Sequence, residues 1–188
     1  LLQTILEEAH RMNRLIGNLL DMIRVESGAL EVQKELQPLE EVVGVALIRL
    51  DDRLRGHPVT VTLPPDLPLV ALDAVLMEQV FVNLLTNAIH AGGTQKDVSV
   101  RAESVGKTVR LRVEDHGCGM SDETRAHAFD PFYTTRAREG GTGLGLSVAH
   151  GIITDHGGEI YLDSSEGRGT TVTVELPCAV DLSKSGPA

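Results

Sequence analysis

The chain has 188 residues, 41% hydrophobic and 23% charged, with a net charge of −10. This is the make-up of a soluble globular chain, one ordinary domain plus an appendage, with enough apolar residues for a real core. It lacks the unbroken apolar run of about eighteen residues that a spanning helix needs, and its acidity argues against general nucleic-acid binding. Two cysteines without a C-x-x-C spacing, Cys118 and Cys178, exclude a disulfide framework and point to a reducing, cytoplasmic setting. No signal-peptide pattern is present. A polyphosphate bound by so acidic a chain must be held by a metal ion, backbone amides and local cations.

Residues 1–26 read as one helix. Leu2, Ile5, Ala9, Met12, Ile16, Leu19 and Ile23 recur at spacings of three and four and make a seam for another helix. Such a helix needs a partner, so the segment is expected to be one arm of a helical hairpin that self-associates. Leu30, Val32 and Leu36 then suggest a short strand, and Pro38 opens a helix expected to run to about Leu54. Val59–Leu63 and Leu69–Leu72 read as strands around a proline cluster, and Asp73 is placed to cap a helix ending at Gly92-Gly93.

That helix is apolar over most of its girth, yet Gln79, Asn83, Asn87 and His90 keep a polar stripe within an arc of roughly 80°. Two asparagines one turn apart put amide oxygens on one ridge, a seat for a hard cation such as Mg²⁺. A plain solvent-facing stripe is the alternative.

Val98, Val100 and Ala102 alternate with polar residues, and the turn at Val105-Gly106-Lys107 pairs this strand with the next. The Gly-Lys-Thr of that turn is no phosphate loop, because Arg101 stands where the first glycine belongs and no helix follows. In the second strand, Val109, Leu111 and Val113 share one face, and the same parity puts Asp115 on the apolar side. A carboxylate aimed inward is costly unless donors meet it. Gly117 and Gly119 follow at once, where the backbone turns and a flat ligand could approach. A capping aspartate before a glycine turn is the blander reading of the same stretch.

A short helix is expected from Asp122 to Ala128. Phe129, Phe132 and Tyr133, three of the five aromatics, then read as anchors for a mobile loop. Gly141, Thr142, Gly143, Leu144 and Gly145 open a helix through about Asp155, and glycines before a helix leave N–H groups for an anion. Ser147 is read as a first-turn helix residue because its surroundings are one residue short of a nucleophile elbow. Strands at Ile160–Asp163 and Thr171–Leu176 close the domain, before a frayed tail. An inward Asp115 would accept from the exocyclic amine of adenine and reject guanine, which carries a carbonyl there.

In this combination the chain resembles the sensor histidine kinases of two-component systems. Asn83-Leu-Leu-Thr-Asn87-Ala is similar to their N box and Asp115-His-Gly117-Cys-Gly119 to their first glycine box. Phe129-Asp-Pro-Phe132 is similar to their F box, Gly141-Thr-Gly143-Leu-Gly145-Leu to their second glycine box, and Gly167-Arg-Gly169-Thr170 to a further short motif. Arg14 to Asp21, with Glu26-Ser-Gly28, resembles the second helix of the dimerisation and phosphoacceptor domain. That opening looks like the potassium-responsive branch, whereas Phe132-Tyr-Thr-Thr-Arg136 looks more like the nitrogen-regulatory one.

The resemblance implies an α/β (α+β) two-layer sandwich, a mixed sheet on three helices, preceded by one amphipathic helix. It implies three parts: 1–28 from the dimerisation domain, 29–177 as the ATP-binding domain and 178–188 as tail. It implies ATP and Mg²⁺, with Asn87 and Asn83 at the metal and Asn83, Asn87 and Arg136 in catalysis. The nucleotide would be held by Asn83, Asn87, His90, Asp115, Gly117, Gly119, Phe132, Gly141, Thr142, Gly143, Leu144, Gly145 and Thr170, under a lid from Phe132 to Gly141. The γ-phosphoryl group would pass to a histidine and then to an aspartate of a response regulator, in a homodimer.

Two departures stand out. Many relatives carry lysine at the position of His90, so a phosphate contact there would be weaker or pH-dependent. The acceptor's His-Asp/Glu-Leu-Arg box is not in these residues, and His10, in Glu-Ala-His-Arg, reads as a surface residue. Two other readings stay open. One is an ATP hydrolase of the gyrase, chaperone and mismatch-repair superfamily; those enzymes place a glutamate base where Asn83 stands, and an amide cannot take that proton. The other is a nucleotide-binding dimerisation module without transferase activity.

Overall fold

The computed structural model describes residues 32–92, 97–137 and 141–178, together with Met12 and Gly17. The helix expected over 1–26 therefore lies outside the described residues except at those two positions, both helical, and the tail beyond Cys178 lies outside them as well.

Strand β1 spans Glu35–Gln37, followed by helices α1 (Leu39–Arg49) and α2 (Asp51–Leu54), then β2 (Val59–Thr62) and β3 (Val70–Leu72). Helix α3 (Ala74–Gly92) leads into the hairpin of β4 (Val98–Val105) and β5 (Thr108–Asp115). Helix α4 (Asp122–Ala126) and helix α5 (Gly145–Asp155) precede the closing hairpin of β6 (Glu159–Ser165) and β7 (Gly169–Pro177).

Five strands form a mixed sheet in the order β2-β4-β5-β7-β6, with β2 parallel to β4 and every other pair antiparallel. Strict alternation along β4, β5 and β7 turns Val98, Val100, Val109, Leu111, Val113, Val172, Val174 and Leu176 to one face. Against that face lie α1, α3 and α5, which contribute Leu39 and Val43, Phe81 and Leu85, and Ile152 and Ile153 to one continuous core. The expected two-layer sandwich on three long helices is what forms.

Several boundaries differ from the periodic reading. Among the described residues the strand near residue 30 is present at Glu35–Gln37, and it pairs with β3 in a separate two-stranded sheet, Leu36 opposite Ala71. Pro38 ends it, having no N–H to offer a ladder. The helix expected to reach Leu54 breaks at the buried Leu50, whose N–H is shared between the carbonyls of Ala46 and Leu47. Helix α4 stops at Ala126, and the residues after it turn so that Ala128 is buried.

Asp73 caps α3 and also joins it to α5. The carboxylate of Asp73 accepts from the N–H groups of Val75 at 3.1 Å and Leu76 at 3.2 Å, the expected N-cap of α3. The backbone N–H of Asp73 in turn donates to Nε2 of His156, at 2.9 Å, just past the end of α5. His156 is 2% exposed, and its Nδ1 lies 2.7 Å from the carbonyl oxygen of Ile152. An accepting Nε2 and a carbonyl on Nδ1 require the neutral ring with its proton on Nδ1.

Burial pushes the His156 imidazole below its ordinary value of 6.5, opposed by its bond to the Ile152 carbonyl, helped by Lys34 and opposed by Asp73 and Asp155. The unfolded chain therefore takes up this proton first as pH falls. The joint's contribution is complete above about pH 6.5 and declines as pH falls from there toward the lowered folded value. We expect His156→Gln, which does not titrate in this range, to cost about 1–3 kcal/mol at neutral pH. The stability gap between the two proteins should narrow in acid. Urea unfolding of both at about pH 7.5 and about pH 5.5 checks this, and a gap independent of pH would contradict it.

Candidate functional site

Asp115 ends β5 with its side chain inward, 5% exposed, as its parity predicts. The carboxylate is met there by the N–H of Gly117, which donates to Oδ1 at 2.8 Å. A side chain at 117 is excluded, because its Cβ would overlap the carbonyl oxygen of Ala91 on α3 and reach 2.6 Å from Asp115 Oδ1 itself. Cys118 N–H donates to that same Ala91 carbonyl at 3.1 Å, so this turn is held against the C-terminal end of α3. Gly119, at φ +65°, lies against the backbone of Ser165, where a Cβ would overlap the carbonyl oxygen.

The polar stripe of α3 is not a solvent-facing one. Gln79, Asn83 and Asn87 are half-buried and His90 is exposed. Asn83 Nδ2 donates to the carbonyl of Gly145 at 3.1 Å, fastening the middle of α3 to the start of α5. One turn on, Asn87 Oδ1 accepts from the guanidinium of Arg136 at 3.1 Å. The stripe thus faces the segment that runs from the F box to α5, and it holds that segment with its two asparagines.

Within the segment, Phe129 is half-buried against the core, with its ring 5.4 Å from that of His150 on α5. Phe132 departs from the expected role of anchor: it is 57% exposed and has φ +66°, a left-handed conformation rare for a bulky side chain. Its N–H donates to Gly143 O at 2.9 Å, and Gly143, itself at φ +69°, comes so close that a Cβ would overlap the Phe132 carbonyl carbon. Two backbone turns locked together this way hold the aromatic ring out of the core. Residues 138–140 of the expected lid lie outside the described residues.

Some of the N–H groups expected to await an anion are already used. Gly141 donates to Arg136 O at 2.9 Å and Leu144 to Thr142 Oγ1 at 3.3 Å. Among the described residues no acceptor takes the N–H of Gly143 or Gly145, and these sit at the positive end of the eleven-residue helix α5. Ser147 is a first-turn residue whose hydroxyl donates to Leu144 O at 2.9 Å. Among the described residues no group of three His, Cys, Asp or Glu side chains could hold a metal.

Sequence reasoning passed over Ser164. It is 4% exposed beside the equally buried Thr170, with their hydroxyl oxygens 2.9 Å apart. The signal was parity: Ser164 shares the inward face of β6 with Ile160, as Asp115 shares that of β5 with Val113.

Residues 72–180 match the family described as histidine kinase-, DNA gyrase B- and HSP90-like ATPase, more than half of the chain. The chain belongs to that family. Within it the likeness is to sensor histidine kinases. The sensor protein KdpD of Escherichia coli K12 is 37% identical over 166 residues, covering 87% of this chain and 18% of KdpD. The sensor histidine kinase ZraS of the same strain is 35% identical over 187 residues, all of this chain and 39% of ZraS. The structure of Acinetobacter baumannii histidine kinase AdeS superposes with a TM-score of 0.81 at 26% identity, covering 95% of this chain and 84% of AdeS. The chain thus spans well under half of these two curated relatives. No helix among the described residues is long and apolar enough to cross a membrane.

Proposed function

We propose that this chain is the catalytic ATP-binding region of a sensor histidine kinase. In this reading it binds Mg-ATP and passes the γ-phosphoryl group to a histidine on a helix outside this sequence, from where it reaches an aspartate of a response-regulator receiver domain. The partition is 1–28 for dimerisation, 29–177 for nucleotide and 178–188 as tail, in a cytoplasmic module that dimerises through its first helix. One observation carries the reading: the carboxylate of Asp115, 5% exposed, lies at the end of a core strand beside a turn in which Gly117 and Gly119 carry no side chain. A buried acceptor against bare backbone suits a flat ring carrying an amino group.

The remaining roles follow from what each group can offer. Gly117 and Gly119 would serve the ring indirectly, by letting the turn pack against α3 and the β6–β7 hairpin, with Thr170 beside Asp115 on the neighbouring strand. Gly143 and Gly145 direct N–H groups at phosphate oxygens, while Gly141, Thr142 and Leu144 shape the loop that presents them. Phe132 covers the nucleotide, and His90 faces the phosphates from the exposed side of α3. Arg136 neutralises charge on the transferring phosphoryl group.

Asn87, with Asn83, would hold Mg²⁺. The fit is chemical: amide oxygens one turn apart on a half-buried ridge suit a hard cation, and Asn87 Oδ1 would exchange its bond to the Arg136 guanidinium for the ion. When bound, the ion would neutralise phosphate charge and fix its geometry. Hydrolysis is disfavoured, because Asn83 stands where a general base would have to be, and its amide is tied to Gly145.

The deciding experiment supplies a family acceptor helix in trans with γ-labelled ATP. We expect acid-labile phosphohistidine to form on that helix while steady-state phosphate release stays near zero. Robust turnover without transfer would support the hydrolase reading, and binding without either would support a non-enzymatic module. We expect Asp115→Asn to weaken ATP binding by about tenfold or more in calorimetry; unchanged affinity would refute the adenine role. Asn87→Ala should remove mainly the Mg²⁺-dependent part of binding, and equal loss with and without Mg²⁺ would count against its place at the metal.

A further inference from the structure

Asp115, Thr170 and Ser164 form one row across three neighbouring strands. Asp115 on β5 is paired directly with Thr170 on β7, and Thr170 with Ser164 on β6. Directly opposed residues of antiparallel strands share a face, and all three are on the buried one, at 5%, 6% and 4% exposure.

The row has a direction. Ser164 Oγ lies 3.0 Å from the carbonyl oxygen of Gly169 and 2.9 Å from Thr170 Oγ1. A carbonyl can only accept, and a serine hydroxyl carries a single proton. Both contacts are hydrogen bonds only if Ser164 gives its proton to Gly169 and receives that of Thr170. The Thr170 proton is then committed toward β6, away from Asp115, and the oxygen keeps only lone pairs for the opposite side.

We infer that Ser164 is a specificity-determining residue: by orienting the Thr170 hydroxyl as an acceptor beside the Asp115 carboxylate, it makes the site select a 6-amino over a 6-oxo purine. The inference rests on the adenine role of Asp115 proposed above. Two adjacent acceptors match the two protons of an exocyclic amine held in direct contact. A 6-oxo group meets two acceptors and no donor. Without Ser164 the Thr170 hydroxyl is free to rotate and donate, and the 6-oxo group finds a partner. Ser164 touches no ligand in this scheme; it acts through Thr170 as a positioning residue.

The test measures calorimetric affinities for ATP and inosine triphosphate, which differ in the 6-substituent and in the proton hypoxanthine carries on N1, on the native chain, Ser164→Ala and Ser164→Thr. The native chain should prefer ATP. Ser164→Ala should keep ATP affinity within about threefold while the ATP-to-ITP ratio falls by about tenfold, and Ser164→Thr, which restores the hydroxyl, should return the native ratio. An unchanged ratio in Ser164→Ala, with ATP still preferred by the native chain, overturns the role of Ser164 alone. A native chain that binds neither nucleotide overturns the adenine reading itself. Should Ser164→Ala fail to fold, Ser164→Cys, of similar volume but a weak acceptor, decides by the same ratio.

Discussion

The site depends on one carboxylate kept from water. Burying the charged group of Asp115 is unfavourable by several kcal/mol unless hydrogen bonds replace its solvent, and one replacement is the N–H of Gly117, 2.8 Å away. That donor is available because residue 117 has no side chain; any Cβ would run into the Ala91 carbonyl and the carboxylate together. On the other flank Gly169, at φ +95°, lies so close that a Cβ would overlap the Asp115 carbonyl oxygen. Helix α3, the β5 turn and the β6–β7 hairpin therefore meet as bare backbone around one acid. Substitutions at these glycines act on the carboxylate by moving the chain that solvates it.

The second constraint is the alignment of α3 with α5. One clamp joins Asp73, at the start of α3, to His156, past the end of α5. The other joins Asn83 to Gly145, at the start of α5. At 1.5 Å per residue the clamps are about 15 Å apart along α3 and about 16 Å apart along α5. The near equality of these spans lets the two antiparallel helices be fastened at both points without strain in either. It also places the α5 N-terminus beside the asparagine ridge, so groups on different elements keep a fixed separation. His156 lies at the opposite end of α5 from Gly145, yet it belongs to the frame of the site.

The features legible in the sequence were those in which a polar residue breaks an apolar pattern. Asp115 on the inward parity of β5 and the Asn83/Asn87 ridge are of this kind, and the long elements carried enough periods to be read. The strand at Leu69–Leu72 was legible, but its pairing with β1 in a separate two-stranded sheet was not, since three-residue strands carry too little pattern to fix a partner. The break at Leu50 was hidden because Leu47, Leu50 and Leu54 continue the helical stripe through it, with no Gly or Pro to mark the bend. Phe132 gave no sign of a left-handed backbone, because that conformation is imposed by its bond to Gly143, eleven residues on. Ser164 obeys the same parity rule as Asp115, but a small hydroxyl on a strand's inner face is too common to stand out. Its meaning needed the neighbouring strands.

In the proposed reading an acidic chain receives a polyphosphate, which poses a charge problem, and the partner of Arg136 bears on it. Over the whole molecule a net charge of −10 repels an anion, but screening at physiological salt limits that field to roughly 8 Å beyond the surface. What the ligand meets at contact is local. Among the described residues Arg136 is positioned by a side-chain amide, Asn87 Oδ1, and not by a carboxylate. An aspartate at 87 would hold the guanidinium more tightly and cancel most of its charge. The neutral amide fixes the cation's place and leaves its field intact for an incoming phosphate. The same substitution would put a fixed negative charge beside the N-terminus of α5, against the two N–H groups aimed at the anion. Asparagine on this ridge is thus the choice that keeps both sources of positive potential effective in a chain that is otherwise negative.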